Sequence, residues 1–191
     1  VVPWGDVRVS TAQSKFGGTS ASFGGFDNYL ILQDHADYDF SGGVWTADFW
    51  FRPNSITRQT LFGQAQSGND FFGILLEADG SIRFKAHSGG PAIVNVQTAA
   101  GQIAANSWYH IAVVQSGDSY KIYINGVEKA FVVDTDRLPN YSAELRIGHS
   151  NVEAGGTPVN GYIDEFRVSK GIARWTSDFT PPTAPYETDT T

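Results

Sequence analysis

Apolar and polar side chains alternate with a period of two along most of this chain, and turn dipeptides interrupt the alternation at short intervals. Residues 71–76 are apolar and run into Glu77-Ala78-Asp79-Gly80, after which residues 81–86 return with Ile82 and Phe84 on one face and Arg83 and Lys85 on the other. Asp-Gly is a strong hairpin signal, because both central residues of a type I′ turn need positive φ. Residues 108–114 form a further predicted strand, followed by a turn at Ser116-Gly117-Asp118. In residues 120–124, Tyr120, Ile122 and Ile124 share one face, while Lys121 and Tyr123 share the other. Asn125-Gly126 then turns the chain into residues 127–133. Further strands are predicted over residues 20–23, 29–32, 45–52, 60–64, 92–97, 143–147 and 163–169. No helix is convincing, and only residues 174–179 leave room for a helical turn. The tail from Thr180 onward, with Pro181, Pro182 and Pro185, reads as extended.

This pattern predicts an all-β, two-sheet antiparallel sandwich, with residues 1–186 as a single domain and residues 187–191 as a linker stub or disordered tail. Composition agrees: 14% aromatic residues and Gly 21 suit many short strands joined by tight turns. Cys 0 removes thiol catalysis, zinc–thiolate sites and disulfides, which a domain of this size does not need in order to be secreted. Met 0 points to a piece of a longer, processed protein, so any signal peptide would lie outside the sequence. A net charge of -7 would repel a phosphate backbone and argues against nucleic acid as a partner. It equally suits plain solubility or a supply of carboxylates for calcium. No apolar run approaches the roughly 18 residues of a membrane-spanning helix, so no membrane insertion is expected.

Several fragments then fall in a familiar order: KFGGTSASF at 15–23, FDNYL at 26–30, ADFWFRP at 47–53, NSWYHIAV at 106–113, YKIYING at 120–126 and GYIDEFRV at 161–168. Over residues 13–186 the chain resembles the concanavalin A-like, laminin-G-like jelly-roll family, in particular its bacterial and phage members. The resemblance implies two antiparallel sheets of about six strands, one concave and one convex. It also implies a non-catalytic role, because such domains are mostly lectins, adhesion modules, carbohydrate-binding appendages or phage-particle parts. The expected setting is extracellular, on a cell surface or on a virion. The expected partner is a glycan, with neighbouring protein subunits of a larger assembly as the alternative. Glycan-cleaving members of the fold need paired carboxylates, and no alternating acidic run occurs here. Asp164 and Glu165 are adjacent and on a regular strand would point to opposite faces. His35, His87, His110 and His149 fall in no catalytic or metal motif.

Calcium takes roughly six to eight oxygen ligands. The loop containing Asp27 and Asn28 offers a carboxylate, an amide and exposed carbonyls, and Asp164 would join them if its side chain faced that edge. Alternatively, Asp27 and Asn28 cap a tight turn and Asp164 bonds nearby backbone amides. Asp34, Asp37 and Asp39 around His35 read as a solvated loop rather than a second site. A sugar needs an exposed aromatic face and hydrogen-bonding side chains around it. Trp45, Phe49, Phe51, Trp108 and Phe166 are assigned to the core, and Trp175 to packing of the final turn. Trp50 and Tyr123 face away from their core neighbours, and Phe71 and Tyr141 sit on predicted loops, so these four are the aromatic candidates. Arg58, Asn69, Asp70 and Asn151 are the polar candidates, sharing a rim with the long loop from His149 to Pro158.

Overall fold

A computed structural model describes residues 1–150 and 157–187. It contains two seven-stranded antiparallel sheets packed face to face. The first holds, in spatial order, β1 (Val2–Trp4), β4 (Tyr29–Leu32), β13 (Leu145–Ile147), β6 (Gln59–Ser67), β7 (Asp70–Leu76), β8 (Ile82–His87) and β9 (Ala92–Gln97). The second holds β12 (Val127–Val133), β11 (Ser119–Ile124), β10 (Tyr109–Ser116), β5 (Trp45–Pro53), β14 (Asn160–Lys170), β3 (Ser20–Gly24) and β2 (Arg8–Ser10). The predicted strands recur, and the three-residue edge strands β1 and β2 are added to them. The helical turn expected within residues 174–179 is absent. The one helical element among the described residues is a 3₁₀ turn over Ala36–Tyr38, where the His35 ring accepts a hydrogen bond from the Asp37 amide.

The core lies between the sheets and is built from the inward members of each alternation. Ile82 and Phe84 meet Tyr120 and Ile122 across the gap, with Phe84 stacked on Tyr120 at 5.7 Å. Phe166 packs between Phe49 at 5.4 Å and Phe62 at 5.1 Å. Strand β14 is not a regular strand. Its pairing with β5 shifts between Asp164 and Arg167, and Glu165 has φ of 51°. The resulting bulge explains why the apolar positions run Ile163, Phe166, Val168 rather than in strict twos. It also corrects the expectation for the two acids, because both carboxylates serve backbone amides on the outer side of the second sheet. Asp164 accepts from Lys15 and Phe16, and Glu165 accepts from Tyr186.

The two hairpin dipeptides behave differently. At Asn125-Gly126 both residues have positive φ, 51° and 79°, as a two-residue type I′ turn requires. At Asp79-Gly80 only Gly80 does, and its amide bonds the Glu77 carbonyl at 3.0 Å, so the hairpin forms around a different turn. The segment between β13 and β14 passes from the first sheet to the second.

Candidate functional site

After β14 the chain doubles back across the outer face of the second sheet as a strap, residues 171–187. Trp175 and Phe179 stack at 3.9 Å, and Phe179 packs edge-on against Tyr123 at 5.4 Å and His110 at 5.7 Å. The Phe179 amide bonds the Gly126 carbonyl at 2.8 Å, Asp178 accepts from the Glu128 amide, and Lys121 donates to the Thr176 carbonyl. Beneath the strap lies Asp48, which is 0% exposed. Its carboxylate receives the Arg167 guanidinium through two bonds of 3.0 and 2.8 Å, the Tyr186 hydroxyl at 2.5 Å and His110 Nε2 at 3.4 Å. Arg167 also lies 3.9 Å from the centre of the Tyr186 ring. Burial alone would raise the Asp48 carboxyl, but the bonds from His110, Arg167 and Tyr186 outweigh it and hold it below the usual carboxylate range. Burial and the Asp48 charge push the Tyr186 phenol far upward, so it stays a neutral donor.

A cleft of about 530 Å³ opens where the strap faces the loop between β2 and β3. Its wall on the strap side is Thr180, Pro181, Pro182 and Thr183, and the facing loop contributes Lys15 and Phe16. Trp50 and Trp108 supply indole surface, and Asn125 closes the end at the β11–β12 turn. Four of the lining residues, Lys15, Phe16, Asn125 and Trp50, are held by hydrogen bonds or ring contacts. Asp164 Oδ2 accepts the Lys15 and Phe16 amides at 2.8 and 3.2 Å. Asn125 exchanges bonds with the His110 backbone, donating its amide to the His110 carbonyl at 2.8 Å and accepting the His110 amide on Oδ1 at 2.9 Å. Trp50 sits edge-on to Phe16 at 6.0 Å and to His110 at 5.3 Å, with the Lys15 ammonium 3.8 Å from its ring centre. The Trp50 indole N–H is buried without an acceptor. Indole faces beside amide and hydroxyl groups suit a ring with an apolar face and polar edges.

A family model for concanavalin A-like lectins and glucanases (Laminin_G_3) matches residues 23–174. The chain belongs to that superfamily. Comparison with curated proteins gives no match. Among solved structures, domain 4 of AbnA, a GH43 extracellular arabinanase from Geobacillus stearothermophilus in complex with arabinotriose, superposes with a TM-score of 0.67 at 22% identity, over 88% of this chain and 77% of that one. The CBM40 of the Ruminococcus gnavus IT-sialidase, bound to α2,3-sialyllactose, gives 0.62 at 14% identity over 78% of this chain and 87% of that one. Mouse laminin α1 chain domains LG4-5 give 0.59 at 13% identity, over 78% of this chain and 39% of that one. At these identities the likeness shows the fold.

Within this concanavalin A-like frame the sequence-derived candidates scatter. Trp50 alone lines the cleft, and as a largely covered wall rather than an open platform. Tyr123 does face outward, but Phe179 covers it completely. Phe71 and Tyr141, expected on loops, are both buried. Phe71 lies within β7 and stacks on His87 at 4.6 Å, while the Tyr141 hydroxyl donates to the His87 carbonyl at 2.9 Å. Arg58 and Asn69–Asp70 flank opposite ends of the nine-residue β6, about 30 Å apart, so they share no rim. Arg58 faces Glu77 at 3.3 Å, and Asp70 accepts from Ser67 and Gly89. Asn151 lies outside the described residues.

Of the metal candidates, Asn28 spends its side-chain oxygen on the Asp6 amide and its nitrogen on the Gly25 carbonyl. Asp164 is committed to backbone amides as above, and Asp27 stands exposed, 3.6 Å from His149 Nε2. Among the described residues no three His, Asp or Glu side chains are gathered as a metal-binding group. Sequence reasoning missed Lys15, Phe16, Asn125 and the Thr180–Thr183 wall, and it misassigned Trp108 to the core. Trp108 lies just before β10, where period-two assignment no longer applies. The Pro181-Pro182 pair, read as extended, was the available signal for a rigid wall.

Proposed function

We propose that this domain is a non-catalytic glycan-recognition module and that the cleft between the strap and the β2–β3 loop is its binding site. The observation that carries the reading is the lining itself: two indoles, an asparagine and two threonines around about 530 Å³, with no carboxylate among them. Cleavage of a glycosidic bond calls for a pair of carboxylates, and Asp48, Asp164 and Glu165 beneath the strap and Asp178 within it are all spent on buried or backbone partners. The arabinotriose and sialyllactose complexes of the structural neighbours support a sugar as ligand. A secreted, cell-surface or virion parent accords with this role, where several weak sites would act together through avidity.

A multivalent glycan array, followed by calorimetry on the hits, tests the proposal. Trp108→Ala is expected to weaken binding by roughly tenfold or more, the worth of one aromatic–ring contact, with the unfolding midpoint little changed. Binding unaffected by Trp108→Ala would move the site elsewhere. Repeating the array in calcium and in EDTA tests the calcium expectation, and equal binding in both removes it. A protein-contact role is the second reading. It draws on the sheet-edge strand β12, which presents Val127, Phe131 and Val133 to solvent at 43%, 62% and 72% exposure. Silence on the array would favour it.

A further inference from the structure

We infer that the cleft selects sugars that carry a carboxylate, with Lys15 receiving that group and Asp164 acting as the residue that positions Lys15. This rests on the glycan reading of the same cleft. The chain is acidic overall, with Asp+Glu 20 against Lys+Arg 13. The cleft reverses that balance, because its lining holds one cation and no carboxylate. The Lys15 ammonium rests over aromatic faces, 3.8 Å from the Trp50 ring centre and 5.5 Å from that of Phe16. It forms no ion pair among the described residues. An ammonium held over an indole is partly stripped of water yet keeps its donors for an incoming anion.

The other groups are also donors in excess. The Asn125 side-chain NH2, whose Oδ1 is taken by the His110 amide, and the Thr180 and Thr183 hydroxyls add further donors. A carboxylate accepts only, so it complements this set better than a hydroxyl does. Asp164 is an acid close to the Lys15 backbone, opposite Trp50 in the β14–β5 ladder. It forms no ion pair with the Lys15 ammonium, and its oxygens are turned to backbone amides. One oxygen is taken by the Lys15 and Phe16 amides, and the other by the Glu165 amide at 3.0 Å. These bonds fix the backbone from which Lys15 reaches over Trp50.

The test is calorimetry on the whole chain with arabinotriose as a neutral probe and two matched pairs: α2,3-sialyllactose and its methyl ester, and a galacturonic acid trisaccharide and its fully methyl-esterified form. Esterification removes the charge while leaving the sugar in place. The free acid of at least one pair is expected to bind about tenfold tighter than its ester, the worth of one charge-assisted bond, and the responding pair distinguishes sialic from uronic acid. The preference should weaken with added salt. Lys15→Gln should abolish it by weakening the free acid far more than the ester, whereas Lys15→Arg should retain it. Asp164→Asn should shrink the acid preference more than it lowers ester binding, while a merely structural role would lower both alike. Equal affinity for acid and ester, or a preference that survives Lys15→Gln, overturns the inference. Binding of arabinotriose without any preference for acids overturns it and leaves the glycan reading standing, whereas no binding to any probe overturns both.

Discussion

Replacing Arg167 with methionine should loosen the strap, and the structure sets the size of the effect. Asp48 is 0% exposed on its side chain and Arg167 23%, so the pair is shielded from solvent screening. Removing one member of a buried ion pair costs about 3–5 kcal/mol, since the remaining charge is left without compensation. The Tyr186 hydroxyl and His110 still reach Asp48, which places the expected value near the lower end, about 3 kcal/mol. The measurement is urea unfolding at pH 7 followed by tryptophan fluorescence, with Trp175 reporting on the strap. Asp48→Asn combined with Arg167→Met should cost less than the sum of the single changes, because the two share one interaction.

The pH dependence has a definite sign. In the folded protein Asp48 is held below the ordinary carboxylate range, so its contribution is complete above the unfolded pKa and is lost as the pH falls through the lowered folded pKa. Without Arg167 the carboxyl loses much of what holds it down. The penalty of Arg167→Met should therefore shrink on acidification, vanishing once Asp48 is protonated in both proteins. A penalty under about 1 kcal/mol at pH 7 would mean that the pair behaves as a surface salt bridge, and the account of the strap would fail. A penalty that does not change with pH would fail it equally.

Gly126→Ala should cost about 2 kcal/mol or more, because φ is 79° and the new Cβ would fall 1.9 Å from the Phe179 carbonyl. A thermal melt gives the cost, and limited proteolysis should show earlier cleavage within residues 171–187. Tyr141→Phe should cost about 1 kcal/mol by urea unfolding, since it leaves the His87 carbonyl without its donor while the ring still fills its place against Phe72. Wild-type protein titrated below about pH 4 should lose strap protection in hydrogen exchange before the core of the sandwich does, as the Asp48 carboxylate is neutralised.

Much of the fold can be read locally. Period-two alternation assigns each side chain to one of two faces, and it assigned Ile82, Phe84, Tyr120, Ile122 and Ile124 to the core correctly. Asn125-Gly126 is sufficient for its turn because the conformational demand lies within two residues. Even the β14 bulge left a trace in the three-residue step from Ile163 to Phe166. The edge strands β1 and β2 escaped because three residues carry too little alternation to stand out. The site was legible only in part. Alternation says which way Trp50, Tyr123 and Asp48 leave the sheet, and it says nothing about what meets them there. That is decided by chain far away in sequence: Phe179 arriving on Tyr123, Tyr186 on Asp48, and the Asp164 carboxylate drawing Lys15 and Phe16 against Trp50. A pleated strand sets direction through its own backbone geometry, whereas burial and the walls of a cleft depend on which distant segments pack against that face, which is a property of the assembled tertiary structure alone.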